Sequence, residues 1–273
     1  MSGRTATRLS VHHVLDRATT TADAPTVLLV HGVGSDHTAW DAVAAELTAH
    51  ATVVRYDLRG HGRSAVGTLP YSLDDFVADH VELMARLGIG RAHLVGFSLG
   101  GLIAQAVAIR HPELVDRLAV IGAVAGRTDA ERERALTRLE DARRTGPAGT
   151  SAASAARWFT TGFVERHPDA VARNLRRMAD TDAAAYAAAY EVLATNDLAD
   201  ELARVGAPTL AMTGEHDVGS PPHMSEMIAE RVPNGRVVIL DGHKHGVLDE
   251  APWLVARELT RFLFPPKEMI SNE

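Results

Sequence analysis

A chain of 273 residues with a formal charge of −7 and no cysteine is long enough for one α/β domain with a substantial core. The acidic balance, with no long Lys/Arg run, argues against a nucleic-acid partner, and the missing thiols exclude disulfides and cysteine nucleophiles. No stretch approaches the roughly 18 apolar residues of a membrane span and the N-terminal segment lacks an apolar leader core, so a cytoplasmic protein that does not engage a membrane is expected.

The predicted elements alternate along the chain. LSVHHVL (9–15) reads as a first strand, followed by TVLLV (26–30), which is apolar throughout, as a strand buried on both faces should be. It runs into HGVGSDHTAW (31–40), where glycines let the backbone pass close to another group. A helical pattern over 38–49 precedes the strand TVVRYD (52–57) and the loop within YDLRGHGRS (56–64). A helix over 72–87, the strand AHLVGF (92–97), a helix over 99–110 and the strand RLAVIGAV (117–124) come next. Residues 127–200 hold no convincing strand and read as four helices, 129–144, 151–163, 169–180 and 182–194, separated by TGPAGT and ERHP. PTLAMTG (208–214), a helix over 221–231, RVVILDG (236–242) and a helix over 251–263 complete the pattern, and PPKEMISNE is a polar tail expected to fray. The alternation predicts an α/β fold with a doubly wound, mostly parallel sheet. Residues 1–126 and 201–273 would form its core, and 127–200 a helical cap over one edge.

One junction carries chemistry. AHLVGF passes into Gly96-Phe97-Ser98-Leu99-Gly100, a G-x-S-x-G pattern between a buried strand and an apolar helix. A nucleophilic hydroxyl needs such a tight turn, with unbulky neighbours, and the following helix points its positive end at developing negative charge. Serine also needs a base, and the base an orienting acid. Asp217 follows the strand PTLAMTG at a G-x-x-D spacing from Gly214, which selects it over Glu215 and Asp241. The next strand is followed by two candidates for the base, His243 and His245. His216, between two acids, lacks the spacing of a metal site, and no metal or other cofactor is expected.

HGVGSDHTAW, YDLRGHGRS, GFSLGG, TGEHD and HGVLDEAP together resemble the α/β-hydrolase superfamily over about residues 8–264. Within it, GSDHTAW, RWFTTGF, ATNDLADEL and the helical insertion are similar to 3-oxoadipate enol-lactonases. The resemblance implies a Ser98–His245–Asp217 triad, because family members place Glu five residues after the catalytic histidine and then x-Pro, as Glu250 and Pro252 stand here. It implies an oxyanion hole from the backbone N–H groups of Val33 and Leu99. His31, Asp57, Arg59 and His61 are then loop organisers. The implied partner is a small-molecule ester or lactone, with Gly32, Trp40, Arg157 and Trp158 as candidate substrate contacts. An inward guanidinium, Arg157 above all, would bind a substrate carboxylate; Arg127, Arg143 and Arg144 read as solvated helix charges. A general carboxylesterase, a carbon–carbon bond hydrolase, a ligand receptor on this scaffold and a cofactor-free peroxidase share these motifs. Ser98 speaks against epoxide hydrolases and dehalogenases, which use Asp there.

Overall fold

The computed structural model describes residues 9–21 and 23–265; apart from Pro265, the predicted frayed tail lies outside them. The strands are β1 His13–Asp16, β2 Thr26–Val30, β3 Thr52–Tyr56, β4 Ala92–Phe97, β5 Val115–Ile121, β6 Thr209–Gly214 and β7 Gly235–Leu240. They form a single sheet in the order β1-β3-β2-β4-β5-β6-β7. β1 is antiparallel to β3 and every other pair is parallel.

The helices are α1 Asp41–Leu47, α2 Leu73–Leu87, α3 Leu99–Arg110, α4 Asp129–Trp158, α5 Thr161–Arg166, α6 Pro168–Ala179, α7 Ala183–Thr195, α8 Pro222–Arg231, α9 Val247–Glu250 and α10 Pro252–Leu263. Side chains of β2 alternate between two apolar layers. Val27 and Leu29 join Val43 and Leu47 of α1 and Val255 and Leu259 of α10. Leu28 and Val30 join Phe76 of α2, Leu102 and Ile103 of α3 and Ile228 of α8. Both faces of the strand are therefore dry, which is why its sequence is apolar without a polar beat. α3 is buried around its circumference for the same reason.

Three local expectations shift. The first strand begins at His13 rather than Leu9, because Leu9 N–H donates to Asp79 Oδ1 and His12 N–H to Ser64 Oγ instead of to a ladder. The pattern over 38–49 divides into a 3-10 turn, His37–Trp40, and α1. TGPAGT interrupts α4 as expected: Gly146 is non-helical at φ 66° and ψ −179°, and Pro147 restarts the helix without needing an N–H partner. The predicted helix 151–163 divides instead after Trp158, where the Thr160 hydroxyl caps α5.

The interior stores neutral imidazoles. Burial depresses His31 below its usual value, and pushes His61 down to about 3 and His80 down to about 4. In the unfolded chain these groups protonate near their ordinary value of 6.5, so their stabilising contribution is complete above that pH and is lost as pH falls. Each steepens the loss by about 1.4 kcal/mol per pH unit between its two pKa values. Melting temperature is expected to drop progressively from pH 6.5 towards pH 4, read by circular dichroism; a flat profile over that range would contradict the buried assignment.

Candidate active site

The carboxyl ends of β2, β4, β5, β6 and β7 converge on one cavity. Ser98 stands between β4 and α3 with φ 53° and ψ −115°, the single non-glycine residue with positive φ among those described. The corner is sharp because glycines flank it. A Cβ on Gly96 would lie 2.1 Å from Gly100 O, and one on Gly100 2.2 Å from Val30 O. Ser98 N–H donates to Ile121 O at 2.9 Å, hanging the turn on β5. Leu99 opens α3, so its N–H has no acceptor within the helix and shares the helix's positive end.

His245 follows β7 and donates Nδ1–H to Asp217 Oδ2 at 2.6 Å. Asp217 is buried, and its Oδ1 accepts from the N–H groups of Gly219 at 2.7 Å and Ser220 at 2.9 Å. The bond to Asp217 fixes the tautomer and leaves Nε2 as the unprotonated ring nitrogen. His245 lines the cavity with Ser98, and its ring lies 4.9 Å from that of Phe97. Gly122, after β5, makes room for it: with φ 53°, a Cβ there would approach His245 Cε1 to 3.0 Å. Sequence reasoning passed over Gly122, although a glycine at a strand end within IGAVAG was the available signal.

The neighbouring polar groups are engaged elsewhere. His243 turns Nδ1 towards Glu250 Oε2 at 3.3 Å and is not part of the cavity wall. The other oxygen of Glu250 accepts from Thr160 N–H, which ties α5 to the histidine loop. Lys244 donates to Ala156 O at 2.8 Å near the end of α4, and Gly246 N–H to Trp158 O at 2.8 Å. Glu215 accepts from Gly242 N–H in an exposed turn.

The loop after β2 is braced from beneath. His31 donates Nδ1–H to Gly32 O at 2.7 Å and accepts Leu58 N–H on Nε2 at 2.9 Å. Both ring nitrogens are occupied and burial keeps the imidazole neutral. Arg59 is likewise consumed by Asp79, with Nε and Nη2 at 2.8 and 2.7 Å. Gly32 and Val33 reach the cavity, and a Cβ on Gly32 would lie 3.1 Å from Ser98 Cβ.

The remaining wall comes largely from α4 and α7. Arg157 and Trp158 line the cavity, as do Phe97, Tyr186 and Tyr190. Arg157 donates to Ser154 Oγ at 2.9 Å, and burial holds its pKa below the ordinary value. Arg138, which the sequence did not single out among the charges of α4, lines the same wall and donates to Tyr190 Oη at 3.0 Å. Among the described residues neither guanidinium has a carboxylate at ion-pair distance. Arg127 also borders the cavity, but its guanidinium is spent on Asn196 O and Leu193 O at the end of α7. Arg143 and Arg144 are surface partners of Glu140 and Asp141. Trp40 is corrected: it is fully buried in the layer with α1 and α10, outside the cavity wall, because the 3-10 turn swings its indole inward. Asn174 and Asp249, also missed, line the wall and bond each other at 2.8 Å.

Known proteins share this architecture. The chain is 30% identical over 220 residues to 3-oxoadipate enol-lactonase 2 of Acinetobacter baylyi, covering 81% of this chain and 82% of that protein. It is 30% identical over 239 residues to (E)-2-((N-methylformamido)methylene)succinate hydrolase of the same species, covering 87% and 89%. The crystal structure of the enol-lactonase from Burkholderia xenovorans superposes with a TM-score of 0.87 at 30% identity, covering 93% of this chain and 96% of that one. With the alpha/beta hydrolase fold family model matching residues 25–252, the chain belongs to that family and is a hydrolase resembling enol-lactonases.

Proposed function

We propose that this hydrolase cleaves an ester or lactone bearing a carboxylate, through an acyl-enzyme on Ser98. The observation that carries the reading is the 2.6 Å bond of His245 Nδ1 to buried Asp217, with the imidazole and Ser98 facing one cavity. Ser98 Oγ attacks the carbonyl carbon while His245 Nε2 takes its proton, and Asp217 stabilises the imidazolium. The N–H groups of Val33 and Leu99 hold the oxyanion, each contributing about 3 kcal/mol. The proton returns to the leaving oxygen, which departs, and water then attacks the acyl-enzyme with His245 as base. Residues 127–200 act as a cap that shapes the acyl pocket, since α4 and α7 supply much of its wall.

The carboxylate preference rests on Arg138 and Arg157, two cavity guanidinium groups without a carboxylate partner among the described residues. Partly dehydrated cations of this kind gain most from an anionic ligand. The two curated relatives described above are named for an oxoadipate and a succinate derivative, which supports the same preference.

A panel of carboxylate-bearing lactones, uncharged aryl esters and ring-cleavage diketones tests the reading. Arg157→Gln is expected to raise KM for the carboxylate-bearing substrate about 10- to 100-fold, the loss of one charge-assisted bond, with little change for the aryl ester. Equal loss on both would remove the carboxylate preference. Turnover of diketones alone would make the protein a carbon–carbon bond hydrolase.

A further inference from the structure

Beneath the loop that follows β2, outside the cavity, three potential ligands meet. Asp57, fully buried just after β3, holds His37 Nδ1 at 2.7 Å from its Oδ1 and His12 Nδ1 at 3.1 Å from its Oδ2. The three donor atoms lie within 4.8 Å of one another. The imidazoles reach solvent, with side chains 26% exposed for His12 and 13% for His37, so an ion could enter and keep water.

The backbone positions these donors independently of their rings. His37 N–H donates to Asp57 Oδ1 at 2.7 Å and Arg63 N–H to Oδ2 at 2.9 Å. Asp57 N–H donates to His12 O at 2.9 Å, while His12 N–H donates to Ser64 Oγ at 2.9 Å. Releasing both ring contacts would therefore leave the carboxylate fixed and hydrogen-bonded, as a metal ligand needs to be. Nothing in the proposed hydrolysis uses these two histidines.

We propose that His12, His37 and Asp57 form a site for one divalent transition-metal ion of borderline softness, such as zinc or nickel. Two imidazoles and a carboxylate suit that class better than calcium or magnesium, which prefer oxygen. Neighbouring donors on a tetrahedral zinc lie about 3.3 Å apart, given metal–ligand lengths of about 2.0–2.1 Å. The imidazoles now contact different oxygens of Asp57, at 2.7 and 3.1 Å, and all three donor atoms lie within 4.8 Å, so ring rotation must bring both nitrogens onto one ion. The ion would join the segment before β1, the turn His37–Trp40 and the end of β3, and so stiffen the loop carrying Val33. Positions 12, 37 and 57 form no spacing pattern, which is why the sequence raised no expectation of a metal.

Calorimetric titration of ZnCl2 into the EDTA-stripped full chain, with parallel thermal melts, tests the site. The native protein is expected to bind one equivalent and to melt higher with zinc, reversibly on adding EDTA. His12→Gln and His37→Gln retain a donor towards Asp57 but coordinate poorly, and each is expected to weaken binding at least about tenfold. His216→Gln, at the exposed pair with Glu215, serves as the control and is expected to change nothing. Absence of binding heat in the native protein would overturn the assignment. So would native affinity in both site variants, or loss of binding in the His216 variant.

Discussion

Ser98→Ala is expected to lower kcat by about 10⁴- to 10⁶-fold on the best ester or lactone, with the melting temperature almost unchanged. The two halves of that result have separate causes. Activity falls because the attacking oxygen is gone while the binding walls remain. Stability holds because alanine keeps the Cβ, and with it the unfavourable φ of 53° that serine already bears. Ser98→Gly separates the two effects further. It is equally inactive, but it is expected to melt higher, since a left-handed backbone held by a residue with a Cβ costs about 1–3 kcal/mol that glycine escapes. Glycine's greater unfolded-state entropy offsets part of the gain, by roughly 0.4–1 kcal/mol. Kinetics and melts on the same three preparations read both quantities. Residual activity above about one per cent in purified Ser98→Ala would remove the serine from the mechanism.

The second large effect distinguishes two adjacent histidines. His245→Ala is expected to cost about 10⁴-fold or more in kcat, because its Nδ1 bond to Asp217 leaves Nε2 to accept a proton in the cavity it shares with Ser98. His243→Ala is expected to change kcat less than about tenfold, since His243 stands outside the cavity wall and contacts the buried Glu250 side chain instead. Glu250 retains its bond from Thr160 N–H in that variant, so the connection between α5 and the histidine loop survives. Reversal of the two results would reassign the base to His243 and leave the Asp217 geometry without a role.

The fold was legible wherever neighbours along the chain decide the outcome. TVLLV is apolar on consecutive positions, and only a strand covered on both faces needs that. α3 begins and ends at the predicted residues because the Gly-x-Ser-x-Gly corner starts it abruptly and His111 leaves helical geometry. Where side chains from distant segments compete for the backbone, the reading slipped. Ser64 and Asp79 draw residues 9–12 out of the sheet, and no local pattern announces that.

The candidate site divides along the same line. By itself the sequence determined that a serine stands at a strand-to-helix corner, that an acid and two histidines follow later strands, and that glycines flank Val33 in the loop after β2. These are matters of chain order and local steric need, which a string of residues records directly. The tertiary structure alone decided that His243 turns to Glu250, that Trp40 belongs to the core and that Arg138 joins Arg157 in the cavity wall. It also decided that His12, His37 and Asp57 share one pocket of space. Each of those outcomes depends on which distant atoms arrive at a given point, and packing distances across the sheet and the helical insertion are not encoded in any spacing along the chain.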